Sequence, residues 1–412
     1  MSRSTPRRLT TLLSTVALTA LATFASLAGL ASPLAAQQFA KARPKNPKFF
    51  PMAVWLQSPR NAQRYQDIGI NLYVDLHNDL NNGPTVAQLQ ALDRAKMPVI
   101  CHQNAIGLAH KGDTIVAWMH GDEPDNAQGR RWRGYKPPIP PHEVVASFEA
   151  MRKADPRPVL LNLGQGAAWD HWHGRGERTN HPEDYPEYVK GCDIVSFDIY
   201  PVTHTRREVK GKLEFVGNGV RRLRKWTRYQ KPVWACIETA HVHNATVRPT
   251  PAQVRTEVWQ AIACGADGII YFAHEFAPTF VEAGLLAHRD VCAEVAKINR
   301  EVLAVATVLN TPQLRDVVTV EGQDREHLIV RAHRHEGSIY LFVASLHDQP
   351  TTGQLKIVAT QSDQAHSLDG DKTQPLVAGC LPIELAGYGI ARYRIGQYPT
   401  GRYPTGRYPT GR

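Results

Sequence analysis

The stretch IVAWMHGDEPD, residues 115–125, passes without a break from an apolar run into three carboxylates. A continuous apolar run is typical of a strand covered on both faces, as in a parallel sheet. Pro124 ends the strand, because proline has no N–H to donate and its φ is restricted. Capping of the next segment explains one acid after a strand, but not three. The stretch therefore predicts a buried parallel strand whose carboxyl end carries a functional site.

Apolar runs of this kind recur along the chain and alternate with amphipathic helical stretches such as 85–96, 142–154 and 251–263. The eight runs are 51–56, 70–76, 98–102, 115–120, 158–163, 193–200, 232–237 and 268–273. Strands that alternate with helices indicate crossover units and a parallel sheet. Eight units over roughly 250 residues match the size of a closed (β/α)8 TIM barrel. We predict this α/β barrel for residues 37–306.

The pattern changes after Ala306, where apolar and polar residues alternate, as in 327–333 and 338–345. Such alternation is typical of antiparallel strands with one buried face, so a small β-sandwich-like domain is expected at 307–396. The pentapeptide YPTGR then occurs three times at 398–412. Because each unit contains Pro and Gly, we expect a disordered or extended tail from 397.

The first 36 residues have the three parts of an export signal. Arg3, Arg7 and Arg8 form a basic start, 12–30 is apolar, and small residues stand at 33–36. The segment predicts a secreted or periplasmic protein. No second stretch is long enough to cross a bilayer, so no membrane span is expected after cleavage.

The formal net charge of +10 is concentrated at the two ends of the chain. Three arginines in the first 36 residues and three in the tail account for six of these charges, which leaves +4 for the body. That balance is ordinary, so nucleic acid is not expected as a partner. The six cysteines show no metal-ligand spacing, and several lie in predicted strands and helices, so mostly buried free thiols are expected.

The predicted seventh strand also ends in a carboxylate, Glu238. In a parallel barrel the active site lies at the carboxyl ends of the strands, where Glu123 and Glu238 should converge. Paired carboxyl groups about 5 Å apart can cleave a glycosidic bond with retention, one as acid and base and the other as nucleophile. Tyr200, after the sixth strand, would supply a phenol that holds the nucleophile ionised.

These residues resemble the clan A glycoside hydrolases, over about 44–305. The anchors are Asp122-Glu123-Pro124, Asp198-Ile199-Tyr200-Pro201 and Glu238-Thr239-Ala240. The resemblance implies a (β/α)8 barrel with Glu123 as acid/base and Glu238 as nucleophile. In most of the clan an Asn that holds the sugar 2-hydroxyl precedes the acid/base, and here that place is Asp122. A carboxylate can accept a hydrogen bond but cannot donate one as an amide does.

Polar and aromatic residues at the other strand ends are candidates for substrate binding. The set is Asp122, Tyr200, Trp55, His77, His102, Asn104, Trp169, Trp172 and His274. The segment WDHWHGR at 169–175 has three interpretations: an aromatic platform for sugar rings, a structural loop, or a metal site formed by its histidines. Since His171 and His173 lack an obvious third ligand, no metal is predicted, and no cofactor motif is present.

The sequence thus predicts an exported retaining glycoside hydrolase that acts on an oligo- or polysaccharide. The alternative hypothesis is a non-catalytic carbohydrate-binding or surface-assembly protein that kept the barrel, and the Asp122 departure is its best support.

Overall fold

The computed structural model of the protein describes residues 46–77, 83–129, 134–358 and 360–396. The predicted export signal at 1–36 and the YPTGR tail at 397–412 lie outside the described residues, so both stay predictions.

Eight parallel strands close into a barrel, as the sequence predicted. They are β1 Met52–Gln57, β2 Leu72–Leu76, β3 Val99–His102, β4 Ile115–Met119, β5 Val159–Leu163, β6 Ile194–Phe197, β7 Val233–Glu238 and β8 Gly268–Phe272. Their order around the barrel is β1-β8-β7-β6-β5-β4-β3-β2. β4 and β6 are therefore separated by β5 alone, which brings the loops that follow them to neighbouring positions at the barrel mouth.

Helices surround the barrel. They are α1 Ala62–Asp67, α2 Val86–Ala95, α3 Ala105–Ala109, α4 Pro141–Ala154, α5 Tyr185–Tyr188, α6 Glu214–Trp226, α7 Pro251–Ala263, α8 Gly284–Ala287, α9 Arg289–Ala304 and α10 Ala306–Leu309. Thr85 and Thr250 cap α2 and α7, because each side-chain oxygen accepts from the backbone N–H three residues on. These caps are why both helices begin where the sequence indicated.

Side chains of alternate strand residues fill the barrel interior. Val74, Ile100, Leu160 and Ile270 are among the members of this inner core, and all are buried. Trp234 and Cys236 of β7 belong to the same core. The outward residues pack against the helices in a second, larger core.

The C-terminal part forms two antiparallel sheets, as predicted. The strands are β9 Gln313–Leu314, β10 Val318–Glu321, β11 Leu328–His335, β12 Ser338–Ser345, β13 Thr351–Ile357, β14 Gln364–Ser367, β15 Thr373–Pro375, β16 Cys380–Leu385 and β17 Ile390–Ile395. This domain packs on the barrel through Trp259 of α7, whose ring stacks on Phe342 at 6.0 Å. Arg331 adds an ion pair with Asp267 at 3.0 Å.

All six cysteines lie in the described ranges and are free thiols, four of them buried, as expected from their positions in strands and helices. Within those ranges no helix combines the length and apolar character that crossing a membrane requires.

Candidate active site

Glu123 enters the barrel mouth through an unusual backbone conformation. It follows β4 with φ of 43°, in the left-handed region that few residues other than glycine adopt. Its N–H donates to the carbonyl of Asn162 in the neighbouring β5 at 3.1 Å. The negative charge of the adjacent Asp122 acts on the Glu123 carboxyl group.

Asp198, directly after β6, lies next to Glu123, close enough for the two carboxyl groups to interact. Its Oδ2 also accepts a hydrogen bond from the Tyr200 hydroxyl at 3.2 Å. A direct hydrogen bond between these two carboxyl groups requires a proton on one of them, because two ionised carboxylates are both acceptors. The structure thus brings together carboxyl groups from the ends of β4 and β6.

The environment decides which member of the pair carries the proton. Burial, followed by the negative charges of Asp198 and Asp122, raises the pKa of Glu123 well above its ordinary value. Burial raises the pKa of Asp198 to about 7, but the hydrogen bonds from Glu123 and Tyr200 oppose that shift. Glu123 therefore holds the shared proton near neutral pH, which is the state required of a general acid.

Asp122 lies beside this pair and is reachable from solvent. The Asn162 side-chain nitrogen donates to Asp122 Oδ1 at 3.0 Å, and the Ser196 hydroxyl donates to Asn162 Oδ1 at 2.7 Å. Desolvation, followed by the negative charge of Asp75, raises the pKa of Asp122 to about 6, while the hydrogen bond from Asn162 opposes the shift. This chain of hydrogen bonds leaves the second oxygen of Asp122 available for a ligand hydroxyl.

His102, at the end of β3, is paired with Asp75, whose Oδ2 lies 3.2 Å from His102 Nε2. Burial opposes a charge on the imidazole, but the hydrogen bond and charge of Asp75, together with Asp122, outweigh it and raise the pKa of His102. A donor therefore stands next to Asp122, consistent with the predicted place of His102 in the mouth.

Asn126 holds the Glu123 side chain in place. Its amide nitrogen donates to Glu123 Oε2 at 2.8 Å, and its oxygen accepts from Trp172 Nε1 at 2.9 Å. Glycine at position 164 leaves room for the Glu123 side chain, since a Cβ there would lie only 2.9 Å from Glu123 Oε1. Trp172 is half-buried and Trp169 is buried against it, so the predicted aromatic platform consists at most of Trp172.

Glu238 does not share this cluster. Its side chain is fully buried, and its two oxygens accept backbone N–H bonds from Val202 at 2.6 Å and Thr203 at 2.9 Å. The carboxyl group on which its charge acts is Glu257. The Tyr200 phenol, predicted to contact Glu238, contacts Asp198 instead. Glu238 therefore anchors the loop that carries Asp198 and Tyr200, and its assignment as nucleophile stays a sequence-based prediction without a structural contact to Glu123.

The remaining predicted residues divide between the rim and the scaffold. His77 and His274 meet edge to face at 6.0 Å, and His77 stacks on the exposed Phe280 at 5.9 Å, which forms an aromatic rim after β2 and β8. Asn104 caps α3 by accepting from the Gly107 N–H at 2.8 Å. Trp55 is buried in the inner core. His77 thus belongs to the rim, whereas His274, which is buried and hydrogen-bonded to the Leu56 carbonyl, belongs with Asn104 and Trp55 to the scaffold.

Asp198, Asn162 and Asn126 were missed as site residues. Asp198 directly follows an apolar strand, the same signal that identified Glu123, but in the sequence it stands out only as the first residue of the Asp198-Ile199-Tyr200-Pro201 motif. Asn162 is a buried amide inside an apolar strand, which is a detectable signal. Asn126 carries no signal of its own, since its role depends on the turn at Glu123.

A separate cavity of about 750 Å³ opens at the amino ends of the strands. Its lining includes Phe49, Lys111, Asp113, Arg157 and Trp234, and none of the predicted site residues. It lies at the opposite end of the barrel from the carboxylate pair, so we do not assign the chemistry to it.

Glu257 on α7 is a buried acid whose neutral state can be tested by measuring protein stability. Both its oxygens are buried, and no residue of the described ranges donates to them. Burial, then the charge of Glu238, raises its pKa well above the ordinary value near 4.5. We expect Glu257→Leu to raise the free energy of unfolding by about 1–3 kcal/mol, because an unsatisfied buried group is removed. Urea unfolding at neutral pH measures this change.

The gain should grow between pH 5 and pH 8. The native state keeps a proton on Glu257 that the unfolded chain releases above its ordinary pKa, so wild-type stability falls as pH rises through that window. The control is Glu294→Leu, which removes the ion-pair partner of Arg255 and should not stabilise. A loss of stability in Glu257→Leu at pH 8 would contradict the proposed neutral state.

The chain is similar to known glycoside hydrolases, both in part of its sequence and in its fold. Residues 146–311 match the model of the glycoside hydrolase 42 family, described as Beta-galactosidase. The alpha-galactosidase I from Mortierella vinacea matches at a TM-score of 0.51 and 10% identity, over 88% of this chain and 100% of that chain. A protein from Bacteroides fragilis, provisionally described as an alpha-galactosidase, matches at a TM-score of 0.50 and 12% identity, over 85% of this chain and 80% of that chain. No curated protein sequence matches the chain.

At these identities the solved structures establish the fold, while the family model adds the class. The matched segment contains β5 to β8, with Asn162, Asp198 and Glu238. It begins after Glu123 and therefore does not include that residue. The class that the fold and the matched segment define is a glycoside hydrolase on a (β/α)8 barrel. The predicted resemblance to the clan A enzymes and the predicted enzyme class are thereby confirmed.

Proposed function

We propose that the protein hydrolyses glycosidic bonds by double displacement at the Glu123–Asp198 pair. The feature that carries the proposal is a pair of neighbouring buried carboxyl groups at the mouth of the barrel, in which burial and the charge of Asp198 raise the pKa of Glu123 well above its ordinary value. Glu123 keeps the acid/base role that the sequence predicted. Asp198 replaces Glu238 as the nucleophile, because both oxygens of Glu238 are occupied by backbone N–H groups.

In the first step Glu123 gives its proton to the leaving oxygen while the glycosidic C–O bond breaks and an Asp198 oxygen bonds to the anomeric carbon. In the second step the ionised Glu123 takes a proton from water. The water oxygen then bonds to the anomeric carbon and releases Asp198 as a carboxylate. Retaining pairs stand about 5 Å apart, so the sugar must enter between the two groups and break their direct hydrogen bond.

The surrounding side chains are suited to a sugar. Asp122 offers a free acceptor oxygen and His102 a donor, which together can bind neighbouring hydroxyls of one ring. Trp172 on one side and the aromatic rim with Phe280 on the other present flat apolar surfaces on which sugar rings stack. The family model supports a β-galactoside as the first substrate to test. Export into the periplasm or the medium, which the first 36 residues predict, would give access to oligo- or polysaccharides.

Release of sugar from a panel of aryl β- and α-glycosides by the purified mature chain tests the proposal. We expect turnover of at least one glycoside, and the first product formed should have the anomeric configuration of the substrate, as followed by NMR. An inverted first product would exclude double displacement. Binding of glycans without any release would favour the alternative of a carbohydrate-binding protein.

A further inference from the structure

A second cluster of polar side chains lies outside the carboxylate pair, in the loops after β7 and β8. His241, Glu275 and His288 each direct one ligand atom to a common point, and these atoms all lie within 4.8 Å of one another. We propose that His241, Glu275 and His288 form a site for one zinc ion.

The backbone holds the three residues in this arrangement. Glu275 and Val281 exchange hydrogen bonds between their N–H and carbonyl groups at 3.0 and 2.9 Å. The Phe276 N–H, one residue on, donates to the carbonyl of His241 at 2.9 Å and joins the two loops. His288 stands immediately before α9, whose first residue is Arg289. The positions are therefore fixed before a metal binds, which lowers the ordering cost of binding.

The hydrogen bonds of His241 prepare its ring for a metal. Its Nδ1 lies 3.0 Å from the carbonyl of Asn244 and 3.1 Å from that of Val247. A carbonyl can only accept, so Nδ1 carries the proton and the lone pair is on Nε2. Backbone carbonyls that bind the other ring nitrogen are the usual means of orienting a histidine ligand.

Glu275 and His288 supply the remaining two ligands. His288 Nε2 is hydrogen-bonded to Glu275 Oε2, so the two groups already face each other. Both are only partly accessible, with 20% of the His288 and 12% of the Glu275 side chain exposed. A metal ion would replace the proton between them and gain the lone pair of His241.

The donor set selects the metal. Two imidazoles and one carboxylate suit zinc, and three protein ligands leave a fourth position for water. Magnesium and calcium prefer oxygen ligands throughout, so two histidines argue against them. No sequence motif marks this site, because the three residues are separated by 34 and 13 positions and come from two loops.

A zinc ion here would link the loop that follows Glu238 to the loop that follows His274. It would thus stabilise the side of the mouth that bears the aromatic rim, while Glu123 and Asp198 belong to the loops after β4 and β6. The site is therefore independent of the proposed hydrolysis, and its test requires no substrate.

Equilibrium dialysis of the chelator-treated full chain against zinc tests the site. We expect one zinc ion per chain, and replacement by cobalt should give visible d–d absorption bands that report the imidazole ligands. His288→Ala and Glu275→Gln should each weaken zinc binding by more than about 100-fold, since each removes a direct ligand. Magnesium should not compete. A cooperative thermal transition in each variant shows that the fold is kept.

The matched control is His181→Ala. His181 forms a similar pair with Glu183, at 2.6 Å between Nδ1 and Oε1, but the structure shows no third ligand near it within the described ranges. This variant should bind zinc as the wild type does. Absence of bound zinc in the wild type, unchanged affinity in both His288→Ala and Glu275→Gln, or an equal loss in His181→Ala would each overturn the proposal.

Discussion

Glu123→Gln is expected to lower kcat for glycoside hydrolysis by about 10²- to 10⁴-fold, the usual contribution of a general acid. Glutamine keeps the shape of the side chain and can still accept from the Asn126 amide, but it has no proton to give to the leaving oxygen. Steady-state kinetics on the glycoside that the substrate panel identifies measures the loss. A natural disaccharide and an aryl glycoside should be compared in parallel.

The two substrates separate acid catalysis from a general disturbance of the site. An aryl leaving group of low pKa departs without protonation. The reduction in kcat caused by Glu123→Gln should therefore be much smaller for the aryl glycoside than for the disaccharide. The alkaline limb of the pH–rate profile should also disappear, since it reports the loss of the Glu123 proton, whose pKa is raised by burial and by Asp198. Equal losses on both substrates would remove Glu123 from the acid role.

Asp198→Asn is expected to have the larger effect, a reduction in kcat of roughly 10⁴- to 10⁶-fold, as for removal of a nucleophile from other hydrolases. An amide cannot attack the anomeric carbon, although it can still accept from the Tyr200 hydroxyl. With Asp198→Gly, added azide should enter the vacated space and yield a glycosyl azide of inverted configuration. NMR determines the anomeric configuration of the glycosyl azide. An inverted product shows that azide has taken the place of the Asp198 carboxylate as the nucleophile.

Glu238→Gln is the matched comparison, because the sequence alone assigned the nucleophile to that position. The side-chain NH2 of the glutamine would lie against the backbone N–H of Val202 or Thr203. Because both groups are donors, that hydrogen bond is lost, at a cost of about 1–3 kcal/mol in stability. We expect kcat to stay within about 10-fold of the wild type, with a lower urea midpoint. Azide rescue in Glu238→Gly but not in Asp198→Gly would return the nucleophile role to Glu238.

Much of the architecture could be predicted because local signals agreed with one another. Thr250 before Pro251 marks the start of α7, and the capping box in the structure begins at that residue. The strand 115–119 was recognisable by its continuous apolar run, in which every residue except Val116 is buried. Glu123 was recognisable by its place after that strand.

The partner of Glu123 could not be predicted in the same way. Glu238 and Asp198 both follow apolar strands, and both belong to loops at the mouth. What distinguishes them is that Val202 and Thr203, in the loop after Asp198, turn their N–H groups onto Glu238 and leave Asp198 facing Glu123. That turn is a matter of a few backbone dihedrals, which no residue type in the loop dictates.

The amino-acid sequence by itself determined the barrel, the antiparallel domain and the strand ends at which acids would stand, because hydrophobic periodicity and helix caps act over a few neighbouring residues. Only the tertiary structure decided which acids meet. The pairing of Glu123 with Asp198, and the meeting of His241, Glu275 and His288, depend on contacts between segments far apart in the chain. Burial and charge at those separations set the pKa values, and neither is a property of any single segment.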